Sequence, residues 1–136
     1  MKTEDHYYIG ISKRTNAAGS KQLLQILDKY GMRGTTIPLK KMLHLKSGVS
    51  YLENNNLLVA GELVHNLKFR KFNRIVVEPI EVYAANSLWI NGTVIVPEGF
   101  RETRKKIKKA GYETITLDVS EFRKVDGGLS CLSLRF

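Results

Sequence analysis

Apolar residues along the chain recur at two spacings that alternate from one segment to the next. HYYIGIS, residues 6–12, has a period of two, with Tyr7, Ile9 and Ile11 on one face and Tyr8 and Gly10 on the other, which predicts a strand. RTNAAGSKQLLQILDKYG, residues 14–31, switches to helical spacing. Leu23, Leu24, Leu27 and Tyr30 form its apolar stripe, Thr15 or Asn16 offers an N-cap, and Gly31 ends it. TTIPL (35–39) reads as a short strand, with Pro38 marking an edge or an end. LHLKSGVSYLENNNLLVAG (43–61) predicts two strands joined at Asn54–Asn56, GELVHNLKFRKF (61–72) a short helix, and RIVVEPI (74–80) a strand.

AANSLWINGTVIVPEG (84–99) is the clearest local signal, because two apolar runs meet at Asn91-Gly92, the preferred pair for a type I′ hairpin turn. A basic helix over 101–110, a strand over 113–119 and a terminal strand over 128–136 complete the series. The recurring unit is a hairpin, a helix and a strand of about forty residues, which predicts an α/β (α+β) array of ββαβ modules in place of one doubly wound sheet. Two such units and parts of a third fit in this chain, and an incomplete array leaves edges open.

With 136 residues, the chain is expected to form a single domain over 1–136 with a modest core. Apolar content of 43% and charged content of 26% are those of an ordinary globular protein. No run is long enough to cross a bilayer, and no N-terminal stretch has the charged-then-apolar build of a signal peptide. One cysteine cannot form an intramolecular disulfide, so a cytoplasmic location is expected. The net charge of +9 raises nucleic acid as a partner. The densest basic run, RETRKKIKKAG (101–111), answers it: Ile107 and Ala110 take one side of a helix, lysines the other, and no aromatic stacking row accompanies them. Nucleic acid is therefore not the expected partner. Paired Cys/His spacing, a glycine-rich phosphate loop and a dinucleotide fingerprint are all missing, so neither a metal nor a cofactor is expected.

Four residues combine reactivity with an unusual local backbone. Cys131 follows Asp126-Gly127-Gly128, where the chain can turn sharply or approach a ligand closely. His44 lies between Leu43 and Leu45 on a predicted strand and so is expected to face away from both. Arg14, in SKRTN, stands at a strand-to-helix junction suited to holding a carboxylate. Asp126 either accepts bonds from a cationic ligand or organises its own turn. Bland roles compete with each of these: a lone strand Cys is commonly a small buried hydrophobe, and a lone His a structural residue. His6 and His65 have no companions of interest.

SKRTNAAG (12–19), LHLKSGVSYL (43–52), AANSLWINGTVIVPEGF (84–100) and KVDGGLSCLSLRF (124–136) shift this balance. Together they resemble the C-terminal half of the dimethylarginine dimethylaminohydrolases, within the guanidine-modifying superfamily of arginine deiminases and amidinotransferases. The resemblance runs from residue 6 to residue 136. It implies the pentein fold, a five-bladed α/β propeller of ββαβ modules around a polar channel. It further implies that Cys131 is a nucleophile attacking a guanidinium carbon and that His44 protonates the leaving amine and then activates water. Arg14 would pair with the substrate α-carboxylate, and Asp126 would line the substrate site.

The implied reaction is hydrolysis of dimethylarginine to citrulline and dimethylamine through a covalent Cys intermediate. Arginine deiminase, citrulline hydrolase and amidinotransferase chemistry are the alternatives within the superfamily, and a catalytically silent binding module is the alternative outside it. The acids that hold the guanidinium in the family lie in its N-terminal half, so Met1 is expected to be an internal methionine of a longer protein. The expected partners are a small guanidine substrate and, through open module edges, a second copy or the other half.

Overall fold

A computed structural model describes residues 1–4 and 6–134. Within these residues, eight strands form three small sheets. Strands β1 (His6–Ile11) and β2 (Arg33–Pro38) pair in parallel, with His6 opposite Arg33 and Ile11 opposite Pro38. A parallel pair needs a crossover, and helix α1 (Ala17–Lys29) supplies it. As expected, Asn16 is its N-cap, accepting the Gly19 N–H at 2.8 Å, and Gly31 leaves the helix at φ +68°.

The next two sheets have the same build. β3 (Val49–Tyr51) and β4 (Asn56–Val59) are antiparallel, and β5 (Asn73–Val76) joins β4 in parallel. β6 (Leu88–Ile90), β7 (Thr93–Pro97) and β8 (Glu113–Leu117) repeat that order, with helix α2 (Arg101–Lys109) as crossover. The Asn91-Gly92 turn has φ of 48° and 85°, as a type I′ turn requires. α2 buries Thr103 and Ile107 and leaves most of its lysines exposed; Ala110, expected on the apolar side, is exposed too. Phe100 gives α2 no side-chain cap, and Glu81 takes over. Its carboxylate accepts the Glu102 and Thr103 N–H groups at 3.2 and 2.7 Å and the Thr103 hydroxyl at 2.6 Å.

Three predicted elements are absent or altered. The helix expected over 61–72 is instead two 3₁₀ turns, Gly61–Leu63 and Leu67–Phe69. Gly61 enters at φ +56°, and Asn66 restarts the chain by accepting the Lys68 N–H. Leu63 and Phe69 are buried, one from each turn, and Asn66 between them has an extended backbone (φ −67°, ψ 123°) that breaks any continuous helix. The strand expected around His44 is a 3₁₀ turn, Leu45–Ser47, with β3 beginning only at Val49. The terminal strand expected over 128–136 is a 3₁₀ turn, Leu129–Cys131, and no strand runs through Leu134. Arg135 and Phe136 of that expected strand lie outside the described residues.

Burial follows the stacking of the sheets. In β4, Leu57 and Val59 join Tyr8, Ile37, Phe69 and Phe72 in one core. Leu58 and Ala60 join Val94, Val96 and Ile107 in a second. The middle sheet is thus covered on both faces, which explains why β4 is apolar at every position from 57 to 59. The end elements are not. Ile115 and Leu117 of β8 are 54% and 44% exposed. The predicted stripe of α1 is split: Leu27 is buried and Leu24 packs on Gly34, while Leu23 and Tyr30 face outward. Among the described residues no helix is long and apolar enough to cross a membrane.

Candidate active site

Arg14 sits where expected, in the turn between β1 and α1, with its side chain exposed. Ser12 shapes that turn. Its backbone bridges Thr15, and its Oγ accepts the Arg14 N–H at 3.0 Å while donating to the Leu43 carbonyl at 2.7 Å. One hydroxyl therefore joins the Arg14 turn to the segment that leads into His44.

His44 has an extended backbone (φ −132°, ψ 139°) and an exposed side chain, and its carbonyl accepts the Ser47 N–H at 3.1 Å. The next residue, Leu45, is buried in the first core. Upstream, the N–H groups of Lys40, Lys41 and Met42 all point at the Glu62 carboxylate. Burial pushes the Glu62 carboxyl up, but the N–H groups of Met42, Lys40 and Lys41 outweigh it and hold the group below its usual value.

Cys131 ends the Leu129–Cys131 turn and is exposed, which removes the buried-hydrophobe role. Its own N–H donates to the Gly128 carbonyl at 2.8 Å. Asp126, exposed and at φ +60°, makes the sharp turn before it. The glycines serve close approach to protein. A Cβ on Gly128 would fall 2.5 Å from Asn86 Nδ2, and one on Gly127 2.9 Å from the Phe122 carbonyl oxygen. Two side chains from the segment before β6 grip this loop. Tyr83 donates to the Gly127 carbonyl at 2.7 Å, and Asn86 Oδ1 accepts the Ser130 N–H at 2.9 Å. They stand three residues apart at the end of a 3₁₀ turn, Pro79–Ala85, so both reach the same side. Burial raises the Tyr83 hydroxyl above its ordinary value, with the Arg123 guanidinium pulling against it and Cys131 adding to the rise.

An open cleft of about 670 Å3 runs between these pieces. Ser130 and Ser133, on either side of Cys131, and Lys46, two residues after His44, contribute to its lining together with Tyr7, Ser50 and Trp89. The cleft thus adjoins the Cys131 loop and the His44 turn through their neighbours, while Cys131, His44, Arg14 and Asp126 themselves lie off its lining. Among the described residues no hydrogen bond or ion pair joins any two of the four candidates, and no three His, Cys, Asp or Glu side chains cluster as a metal site would need. Sequence inspection did not single out Ser12, Glu62, Tyr83 or Asn86. Ser12, in SKRTN, and Asn86, in AANSLWINGTVIVPEGF, lie inside stretches that carry the resemblance; Glu62 and Tyr83 do not, and the contacts of Glu62, Tyr83 and Asn86 span 20 residues or more.

No family model matches the chain. Among curated proteins, it is 53% identical over all 136 residues to the dimethylarginine dimethylaminohydrolase of Pseudomonas aeruginosa, covering 54% of that protein. It superposes with a TM-score of 0.98 on a cysteine-to-serine mutant of dimethylarginine dimethylaminohydrolase from P. aeruginosa complexed with citrulline, at 52% identity. All of this chain and 53% of the other are matched there. Over its whole length the chain is homologous to the dimethylarginine dimethylaminohydrolases. It spans about half the length of the curated relatives it matches. The N-terminal domain of a cyanobacterial arginine dihydrolase shares the fold alone, with a TM-score of 0.82 at 22% identity, 94% of this chain and 50% of that one. The mixed α/β modules described above are therefore those of the pentein fold.

Proposed function

We propose that the chain supplies the nucleophile and the acid/base of an amidine hydrolase that converts dimethylarginine to citrulline and dimethylamine. The observation that carries this is the match of every part of the chain to a relative whose mutant holds citrulline, with the Cys131 loop and the His44 turn bordering one cleft. In the proposed first step the Cys131 thiolate adds to the guanidinium carbon, and His44 gives a proton to the departing dimethylamine as the C–N bond breaks. The S-alkylthiouronium left behind is then attacked by a water that His44 deprotonates. The C–S bond breaks, releasing citrulline and restoring the thiolate. Arg14 holds the α-carboxylate by paired N–H donors, and Asp126 borders the substrate. A guanidinium bound beside Cys131 favours the thiolate, since a nearby cation stabilises the ionised form.

Turnover in this proposal also draws on the half of the relatives' length that the chain does not span, including acids that hold the guanidinium. The uncovered face of β8, with Ile115 and Leu117, is where a further module or a second copy would close the propeller. A cytoplasmic location belongs with a catalytic thiol that must stay reduced. The test is release of dimethylamine and ammonia from dimethylarginine and arginine, by this chain and by a version extended to the relatives' length. Dimethylamine from the extended form alone supports the proposal in full. Ammonia from arginine instead moves it to a deiminase, and no product from either form moves it to a silent module.

A further inference from the structure

We propose that Glu62 and Ser12 are positioning residues for His44, with Ser12 holding Arg14 as well; this rests on the roles given to His44 and Arg14 above. Residues 40–43 form no helix or strand, yet they are tied down more tightly than a surface loop needs. Lys40 N–H donates to Glu62 Oε2 at 2.9 Å, and Lys41 and Met42 N–H both donate to Oε1 at 2.8 Å. Three successive N–H groups converging on one oxygen pair form an anion nest, and bonds to a charged acceptor are the strong kind.

Met42 is wedged as well. A Cβ on Gly48 would meet its Sδ at 2.4 Å, and one on Gly61 its Cε at 2.7 Å. Leu43 follows, its carbonyl held by Ser12, and then His44, before Leu45 enters the core. The imidazole therefore hangs from a stretch fixed on both sides, with its backbone direction set by groups that never touch it.

Glu81 shows what a structural carboxylate does in this fold: it caps the first turn of α2. Glu62 caps no helix; the segment it fixes ends at the candidate acid/base. Ser12 adds a second function. Because its Oγ also accepts the Arg14 N–H, one hydroxyl sets the spacing between the group that would hold the carboxylate end of a substrate and the group that would work at its guanidinium end.

Two measurements test this. In the chain itself, Glu62→Gly should speed amide exchange at Lys40, Lys41 and Met42 by about tenfold or more and move the His44 ring resonances, and formate should reverse both by refilling the nest. Unchanged exchange, or faster exchange with unmoved His44 resonances, overturns the proposal. In whichever form turns over dimethylarginine, Glu62→Gly should lower kcat by about a hundredfold with little change in KM. Ser12→Ala should lower kcat and raise KM together, and Ser12→Thr should restore both. A rise in KM at unchanged kcat for Glu62→Gly overturns the proposal. Glu62→Gln, which keeps the side chain's size, replaces Gly if that variant does not fold and should show the same pattern. If no form turns over substrate, the exchange and resonance data still decide the clamp, so its failure is distinguishable from failure of the hydrolase assignment.

Discussion

Replacing Gly128 by Ala tests how the Cys131 loop is held. The Gly128 backbone is extended (φ −141°, ψ 172°), a conformation any residue adopts, so the added methyl meets no backbone penalty. It meets Asn86 instead, at 2.5 Å from Nδ2 and 2.9 Å from Cγ. Asn86 is only 8% exposed and cannot swing aside without giving up the Ser130 N–H. Overpacking costs about 1–3 kcal/mol, and loss of the Asn86–Ser130 hydrogen bond about another 1 kcal/mol. Against that, Ala lowers the entropy of the unfolded chain, returning about 0.5–1 kcal/mol. The net expectation is a loss of about 1–3.5 kcal/mol, or roughly 5–15 °C in Tm for a domain of this size. Urea unfolding of wild type, Gly128→Ala, Asn86→Gly and the double variant completes a cycle. If the clash is the cause, Gly128→Ala should cost under about 1 kcal/mol in the Asn86→Gly background. An equal cost in both backgrounds, or a negligible cost in the wild type, refutes the steric account.

Other expectations are more direct. Cys131→Ser should abolish turnover in the form that hydrolyses dimethylarginine, whereas His44→Gly should slow it and let the covalent intermediate accumulate to a level visible by mass spectrometry; full activity in the serine variant would end the mechanism. Cys131 is exposed and is the sole thiol of the sequence, so a thiol reagent should titrate one equivalent in the native chain without denaturant. The Glu62 carboxyl lies below its ordinary 4.5 in the fold, so its ionised form stabilises the native state above that value. That contribution is lost as pH falls through the lower folded value, and the stability gap between wild type and Glu62→Gln, followed by unfolding at a series of acidic pH values, should close there. Ile107→Ala empties a fully buried site in the second core and should cost about 2–5 kcal/mol by urea unfolding, while changing exposed Lys108 to Ala should stay within about 0.5 kcal/mol.

Several elements were legible in the chain because their causes are local. Asn91-Gly92 makes its turn with its own backbone preferences, Asn16 caps α1 through a bond three residues away, and Gly31 and Gly111 end their helices at φ +68° and +94°. The middle strand was legible as an apolar run, and only the two cores that flank it show that both its faces are buried. The β3–β4 turn was legible from its asparagines: Glu53, Asn54 and Asn55 all stand at positive φ, which the asparagines tolerate, and the Tyr112 hydroxyl adds a bond to the Glu53 carbonyl across 59 residues. Another element was decided from a distance. The last segment reads as a strand by alternation but has no neighbouring edge in the described structure, and Asn86 and Tyr83 draw it into a turn from 44 residues away.

The candidate site divides the same way. Residue types and motifs along the chain singled out Cys131, His44, Arg14 and Asp126, because reactive groups beside turn residues are visible one segment at a time. That Cys131 is exposed, that its glycines make room for Asn86, and that Glu62 and Ser12 hold the approach to His44 came only from the folded chain. A hydrogen bond or a steric gap between distant segments has no period and no spacing. It exists only once the hydrophobic faces have brought those segments together, which is why tertiary packing, and not the local pattern, fixed the surroundings of these four residues.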